Sequence, residues 1–585
     1  MNNTIVDNSL RQKMFRCLWY AICILASVNT YQFVYSSLSF SLCSGVVILV
    51  LNVLSIFEAM RQKDSIIVHR VQWLVLAWIV FMWAHYLFVH HAEMYRLYYL
   101  TCTLSMLLTL PYLLSKGFLS GKTIIRSAGF MAGIQCVCLA LQKFGLLSSE
   151  NPNFELTGSN ENPNSTGILF MVSLPLLMQN QKRHVQILLV TLFVGLYLVI
   201  KCRTAIIGLI VYVVVMAICS NKLRFYCGKW TLMKKCLGIF CIGVLLVGVL
   251  SLLYAVKRDS SEGRLLVWRI TSSMIVDNPV GAGIGLYEHD YNLKQAEYFE
   301  SGIATSDEKR LAASIGTSYN DFMEHAAECG FGGLLLMLVI YATLVKLSWN
   351  QPNKNLFAVF LSVLAMSLVN FFYAAVQAWI LFLGVACLVI SIGRKDVRRE
   401  PQKNVILSCV GLGFFITLMF GQIGHTISQI SLLNYMRDVK EGKSIEITKV
   451  LFWEKPIGTS EAYWRFLSRL YYKRGDYNEA LRCVLNASVY TSHPSVFITI
   501  ANCYDKLGLQ EKAVPYLIKG KFMLPHNLSI RLQLMESYER IGQTSEAYSI
   551  AQEIIGMPVK IETKKSIRIK KKAQLYLNHH SNENN

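Results

Sequence analysis

The sequence predicts an all-α membrane protein: a polytopic transmembrane helical domain with one large extracytoplasmic loop, followed by an α-solenoid. Three observations carry this. Of 585 residues, 54% are hydrophobic and only 16% charged, and the mean hydropathy is +0.40. The apolar residues gather in runs of about 20, the length an α-helix needs to cross a bilayer. Towards the C-terminus the pattern changes, and Gly475-Asp-Tyr-Asn-Glu-Ala480, Gly508-Leu-Gln-Glu-Lys-Ala513 and Gly542-Gln-Thr-Ser-Glu-Ala547 recur at intervals of 33 and 34 residues. That period belongs to stacked helix pairs.

Thirteen candidate spans follow one another near 14–31, 38–58, 70–90, 95–115, 123–143, 165–180, 185–201, 204–220, 236–256, 330–348, 355–373, 375–393 and 404–424. The first follows Arg11-Gln-Lys13 as a signal sequence would, but no small-x-small cleavage site is evident, so it reads as a retained helix. With a cytoplasmic N-terminus, all six inner connections are basic: Arg61 to Arg70, Lys116 to Arg126, Lys182-Arg183, Lys222 to Lys235, Lys346 to Lys354 and Arg394 to Arg399. The outer ones carry few positive charges, as the positive-inside rule requires. This accounts for the net charge of +21 and argues against a nucleic-acid partner. The same parity puts the polar stretch of about 257–329 outside the cytoplasm, together with everything after the last span. The domain expectation is a membrane unit over 1–425, a linker over 426–450, repeats over 451–560 and a basic, polar tail over 561–585.

The sixteen cysteines lie mostly within apolar runs, without CxxC or metal-ligand spacing, and read as small core residues. No DxD pair, Walker loop, HExxH or Gly-x-Ser-x-Gly occurs, so neither metal nor cofactor is expected. What chemistry there is lies at the outer boundary. Arg203, in the short outer connection Lys201-Cys-Arg203, stands where the positive-inside rule disfavours it and so asks for a role. Arg264 precedes Trp268 by four residues, one helical face, which permits a cation–π contact between them. The glycines of Pro279-Val-Gly281-Ala-Gly283-Ile-Gly285 allow either close backbone approach to a ligand or a tight turn. Thr157 to Ser165, with Asn162-Pro163-Asn164, leads into the sixth span, where Asn164 or Ser165 can cap the helix or help expose its amides to an anion. Tyr319-Asn320-Asp321-Phe322 and Glu328-Cys-Gly330-Phe-Gly332-Gly333 close the loop.

In order and spacing these residues resemble the O-antigen ligase and polymerase superfamily (the WaaL and Wzy type) over roughly 14–424. The matching pieces are Gly158 with Asn162-Pro163-Asn164, Arg203-Thr204-Ala205, Gly263-Arg264…Trp268, Pro279…Gly281-Ala-Gly283, and Asn320…Glu328-Cys-Gly330. The resemblance implies transfer of a glycan from an undecaprenyl-diphosphate donor to a hydroxyl acceptor on the outer face of the inner membrane. It also implies that Arg203 and Arg264 neutralise the departing diphosphate without a metal or nucleotide. Asn162, Asn164, Trp268, Gly281, Gly283 and Gly285 would then be substrate-binding positions. The family's usual base is a histidine before Asn, and here that position is Tyr319. The remaining bases are Asp321, Glu324, His325 or Glu328, unless Tyr319 orients the acceptor and leaving-group activation dominates. His325 lies six residues on, about 240° round a helix from Tyr319, so it is no direct substitute.

The C-terminal recurrences resemble tetratricopeptide (TPR) repeats, and imply a concave surface for a protein partner. The acceptor would be lipid A core, another glycan in a repeat-unit polymerase, or a protein in an O-oligosaccharyltransferase. From other classes, a polysaccharide transporter lacks visible internal repeats, and a mere anchored scaffold needs far fewer spans.

Overall fold

The computed structural model describes residues 2–27, 37–89, 93–149, 151, 153–179, 181–220, 258–395, 405–557 and 563–581, with a few isolated positions between 221 and 257. Among the described residues every regular element is a helix, and seven helices are long and apolar enough to cross a bilayer. The protein is an all-α polytopic membrane protein. Helices lie on twelve of the thirteen expected spans, and the span near 236–256 falls outside the described residues. The first eight are α1 (Asn2–Ser27), α2 (Ser37–Arg61), α3 (Arg70–Val89), α4 (Met94–Ser115), α5 (Gly121–Lys143), α6 (Pro163–Met178), α7 (Arg183–Val199) and α8 (Arg203–Cys219). The polar stretch between the two membrane halves contributes α9 (Arg258–Asp277), α10 (Tyr287–Glu300) and α11 (Ser306–Leu311). The chain then returns to the membrane through α12 (Asp321–Trp349), α13 (Lys354–Ser367), α14 (Val376–Lys395) and α15 (Val405–Lys440).

At the centre stands α4, in which every residue from Tyr99 to Leu114 is buried, packed between α2 and α14. Its hydroxyls would be costly in an apolar interior without partners. Thr101 donates to Leu97 O at 2.7 Å and Thr103 to Tyr99 O at 2.9 Å, while Thr103 Oγ1 also accepts from Trp379 Nε1 at 3.0 Å.

The tenth span is not one straight helix. At Gly330 the backbone turns to φ 66°, ψ −171°, splitting α12 into an outer and an inner part. The carbonyls freed by the break are taken by the Pro279–Gly283 segment: Ala282 N donates to Ala327 O and Gly283 N to Glu328 O, both at 2.9 Å. Phe331 N returns a bond to Pro279 O at 3.1 Å. Neighbouring helices hold the same segment, since His85 Nε2 of α3 donates to Val280 O (2.9 Å) and Glu93 N, before α4, donates to Ile284 O (2.8 Å). The approach is so close that a Cβ on Gly330 would sit 2.3 Å from Val280 O, and one on Gly281 2.6 Å from Glu328 O.

The C-terminal part departs from expectation in two places. The expected linker 426–450 is largely helical, because α15 carries on for 36 residues to Lys440. Between Gly424 and Gly442 no glycine or proline interrupts it, and Gly442, at φ 86°, ends it in the left-handed conformation. At about 1.5 Å per residue α15 is far longer than a bilayer core, so it extends beyond it. Its Leu432 joins an apolar cluster with Tyr463, Trp464 and Leu467. The expected polar tail 561–585 also folds: Lys564–Ser581 is a helix whose Ile569, Ala573 and Tyr576 fall on one face and are buried. Between these, Glu461–Arg474 packs on Tyr477–Ala487, Pro494–Lys506 on Gln510–Met523, and Leu528–Arg540 on Thr544–Gly556, as three successive helix pairs.

These pairs hold the loop helix α10. Ala296 is buried among Val484, Val496, Phe497, Ile500 and Met523, and Gln295 Nε2 donates to Met523 O at 2.7 Å. The loop and the C-terminal helix pairs thus share one apolar cluster.

Gly330→Ala should markedly lower the thermal midpoint of the detergent-solubilised protein, since a left-handed alanine costs about 1–2 kcal/mol before the clash with Val280 O is counted. Gly195→Ala, with nothing within 4 Å of the new Cβ, should change stability by no more than about 1 kcal/mol.

Candidate functional site

Outside the membrane core, α9 lays an apolar stripe of Leu266, Val267, Ile270 and Met274 against Tyr287, Tyr291 and Phe299 of α10. This packing leaves Arg264 at the edge of a cleft of about 510 Å³. The cleft draws on four distant parts of the chain: Asn162 and Asn164 at the start of α6, Lys201 and Arg203 between α7 and α8, Arg264 on α9, and Tyr319 before α12. Five sequence candidates thus converge. Three cations face one space whose carboxylates, Glu155 and Asp259, are engaged: Glu155 with Lys143 at 3.2 Å, and Asp259 with Arg310 at 2.8 Å.

Arg264 Nη1 donates to Val369 O at 2.7 Å, and its guanidinium lies over the Tyr319 ring, 5.0 Å from the centroid. The expected partner, Trp268, is instead occupied by donating Nε1–H to Ser318 O at 2.9 Å. Burial holds the Arg264 guanidinium below its ordinary pKa, and the charge of Arg203 adds to this. Such a pair gains when an anion enters. Arg203 donates to Ser260 and Ser261 Oγ at 3.0 and 3.2 Å. Arg203, Arg264 and Trp268 also line an adjoining groove of about 230 Å³ whose other walls include Ile207, Leu265 and Val369. The arginines therefore stand where a polar cleft meets apolar surface.

Tyr319 has φ 54°, a strained value for a bulky residue, and hydrogen bonds on both sides enforce it. Tyr319 N donates to Thr317 Oγ1 at 3.2 Å, Asn320 N to Ser318 Oγ at 3.1 Å, and Ser318 Oγ to Asn320 O at 2.6 Å. Lys201, at φ 54°, is a second non-glycine residue in this conformation, and it lines the same cleft.

The remaining candidates sit elsewhere. Asn320 caps α12, accepting from Phe322 N and Met323 N at 3.1 Å each. Asp321 accepts from Phe372 N at 3.0 Å and is fully buried. His325 is directed into the bundle, where Nε2 accepts from Trp78 Nε1 at 3.0 Å. Glu328 is 2% exposed, and Glu324 is an anchor: it accepts from Arg96 at 2.9 Å, Tyr373 Oη at 2.6 Å and Ser318 N at 2.9 Å. None of these lines the cleft. Gly281 and Gly283 pack on the broken helix and Gly285 against Glu93 and Arg96, so their role here is backbone packing. The α6 cap is Asn162, not Asn164 or Ser165: its side chain accepts from Asn164 N at 2.9 Å, with Pro163 at the first helical position.

Lys201, Asp259, Tyr291 and Gln295 line the cleft without having been singled out from sequence. Lys201 was findable, because it breaks the positive-inside rule in the same connection as Arg203. The two α10 residues carried no signal beyond an ordinary helical face.

Residues 168–338 match the family model described as O-Antigen ligase. This stretch is similar to O-antigen ligases, and it supports the resemblance read from the sequence motifs. The matched stretch runs from α6 to the inner part of α12, and includes Arg203, Arg264 and Tyr319. No curated protein matches the chain. The match supports glycosyl transfer in O-antigen or polysaccharide assembly as the class of activity.

Beneath that domain, Arg96→Ala should destabilise the protein by about 3–5 kcal/mol, because it strands the buried Glu324 carboxylate. Thermal unfolding in detergent measures this, and Arg96→Ala/Glu324→Gln should recover part of the loss.

Proposed function

We propose that the protein transfers a glycan from undecaprenyl diphosphate to a hydroxyl acceptor such as lipid A core, on the outer face of the bacterial inner membrane. The observation that carries this is the convergence of Lys201, Arg203 and Arg264 on one cleft that adjoins an apolar groove. A diphosphate needs cations, and a polyprenyl tail needs apolar surface. In the proposed reaction the acceptor oxygen bonds to the anomeric carbon as the bond from that carbon to the phosphate oxygen breaks. The diphosphate leaves with the electron pair, and the hydroxyl proton passes to solvent. Fixed guanidinium groups stabilise the charge that develops on the leaving oxygen, which is the work a metal performs in other transferases.

The buried carboxylates and His325 stand away from the cleft, so leaving-group stabilisation carries the step and no buried base is needed. Tyr319, held beneath Arg264, orients the acceptor hydroxyl. The successive helix pairs support reading 451–560 as TPR-like, and their hold on α10 supports a role in fixing the cleft wall formed by Tyr291 and Gln295.

In cells carrying Arg264→Ala or Arg203→Ala, long-glycan product should fall by about 10²–10³-fold, the range for loss of one transition-state donor. Arg264→Lys should retain more, because it keeps the charge but loses the fork. Glycan profiles on gels, beside immunoblots for protein level, measure this. Normal transfer in both alanine variants would overturn the proposal.

A further inference from the structure

Helix α11 is shared by two clefts. Leu311 lines the one already described, while Ser306, Lys309 and Arg310 line a second of about 920 Å³ between the loop and the C-terminal helix pairs. Among the described residues this second cleft is lined by five lysines and arginines, namely Lys309, Arg310, Lys521, Arg531 and Lys565, with His526 beside them, and by one carboxylate, Glu553. Arg310 is answered by Asp259 in a two-pronged pair of 2.8 and 2.9 Å. Glu553 divides its two oxygens between Lys521 Nζ (2.8 Å) and Arg531 Nε (3.1 Å). Two cations thus share one negative charge, and exposed Lys309 and Lys565 add two more.

Arg531 is the telling residue. It is 7% exposed, yet among the described residues its Nη1 has no hydrogen-bond partner. A buried guanidinium donor left unpaired is costly, and an anion in the cleft would satisfy it. Beside the cations are flat and apolar surfaces: Phe522, whose ring lies 5.3 Å from Lys521 Nζ, with Phe299 and Met557. A pocket of this size that joins cations to aromatic faces suits a sugar ring bearing a negative group.

We propose that this cleft binds an acidic sugar of the glycan being transferred, its carboxylate or phosphate held by Arg531 and Lys521. The proposal rests on the transferase reading, which seats the glycan's reducing end in the first cleft. The shared wall at α11 and the Arg310–Asp259 pair put the second cleft next along a chain leaving the first. The glycan so selected is one with charged repeat units.

The test uses the full chain in detergent micelles, titrated with fluorescent tetragalacturonate and, as the uncharged control, maltotetraose. Wild-type protein should bind the acidic probe, more weakly as salt rises, and bind the neutral one at least tenfold less tightly. Lys309→Glu/Lys565→Glu alters exposed residues and should weaken acidic binding at least tenfold with an unchanged thermal midpoint. Arg531→Lys should weaken it several-fold. Displacement by inorganic phosphate at comparable concentration would assign the site to a phosphorylated sugar, and persistence of the probe to a carboxylate. Equal binding of the two sugars, unaltered binding in the double variant, or tighter capture of polyglutamate or of phosphatidylglycerol vesicles would overturn the proposal. Arg264→Ala and Arg203→Ala separate the two readings: normal glycan transfer in both would overturn the role given to the first cleft, while the titration would still report on this one.

Discussion

A helix broken at Gly330 holds the outer half of this protein to its membrane half. Breaking a transmembrane helix exposes backbone groups that the bilayer cannot satisfy. Here the Pro279–Gly283 segment satisfies them, with three backbone hydrogen bonds between it and α12. The same segment is fixed from α3 by His85 and tied to the start of α4 through Glu93. The loop is thus anchored by backbone geometry, which tolerates almost no side chain at the crossing.

From that anchor the functional region builds outward. Segment 278–285 joins α9 to α10, so its position fixes where Arg264 can stand. At the far end of the loop, Glu324 gathers Arg96, Tyr373 and Ser318, and this holds the strained turn that brings Tyr319 beneath Arg264. Glu324, buried away from the cleft, thus serves its shape. Burying charged groups is costly unless they are paired, and Glu324 is paired on both oxygens.

The C-terminal helices extend the same logic. Long α15 carries the chain out of the membrane domain, and the helix pairs close over α10, whose Tyr291 and Gln295 face the first cleft. One helix thereby links the C-terminal helix pairs to the site. This geometry ties those pairs to the loop and leaves between them the basic second cleft.

The sequence by itself determined the class of the fold and most of the membrane spans, because runs of apolar residues and basic inner connections are local signals. It also singled out Arg203, where a cation breaks the charge rule, and the Arg264 and Asn162-Pro163-Asn164 motifs. Only tertiary structure decided which candidates meet. Asn320, Asp321, His325 and Glu328 lie within a few residues of Tyr319, but a helix turns about 100° per residue, and that rotation sends them into the bundle or onto the cap. The role of Gly281 and Gly330 was likewise hidden, since a glycine demanded by a backbone crossing looks in sequence like one demanded by a ligand. The helical course of 426–440 and of Lys564–Ser581 escaped for a related reason: polar and basic residues conceal a buried face until a partner surface is known. Contacts between residues far apart in the chain carry no local signature, and this site is made of them.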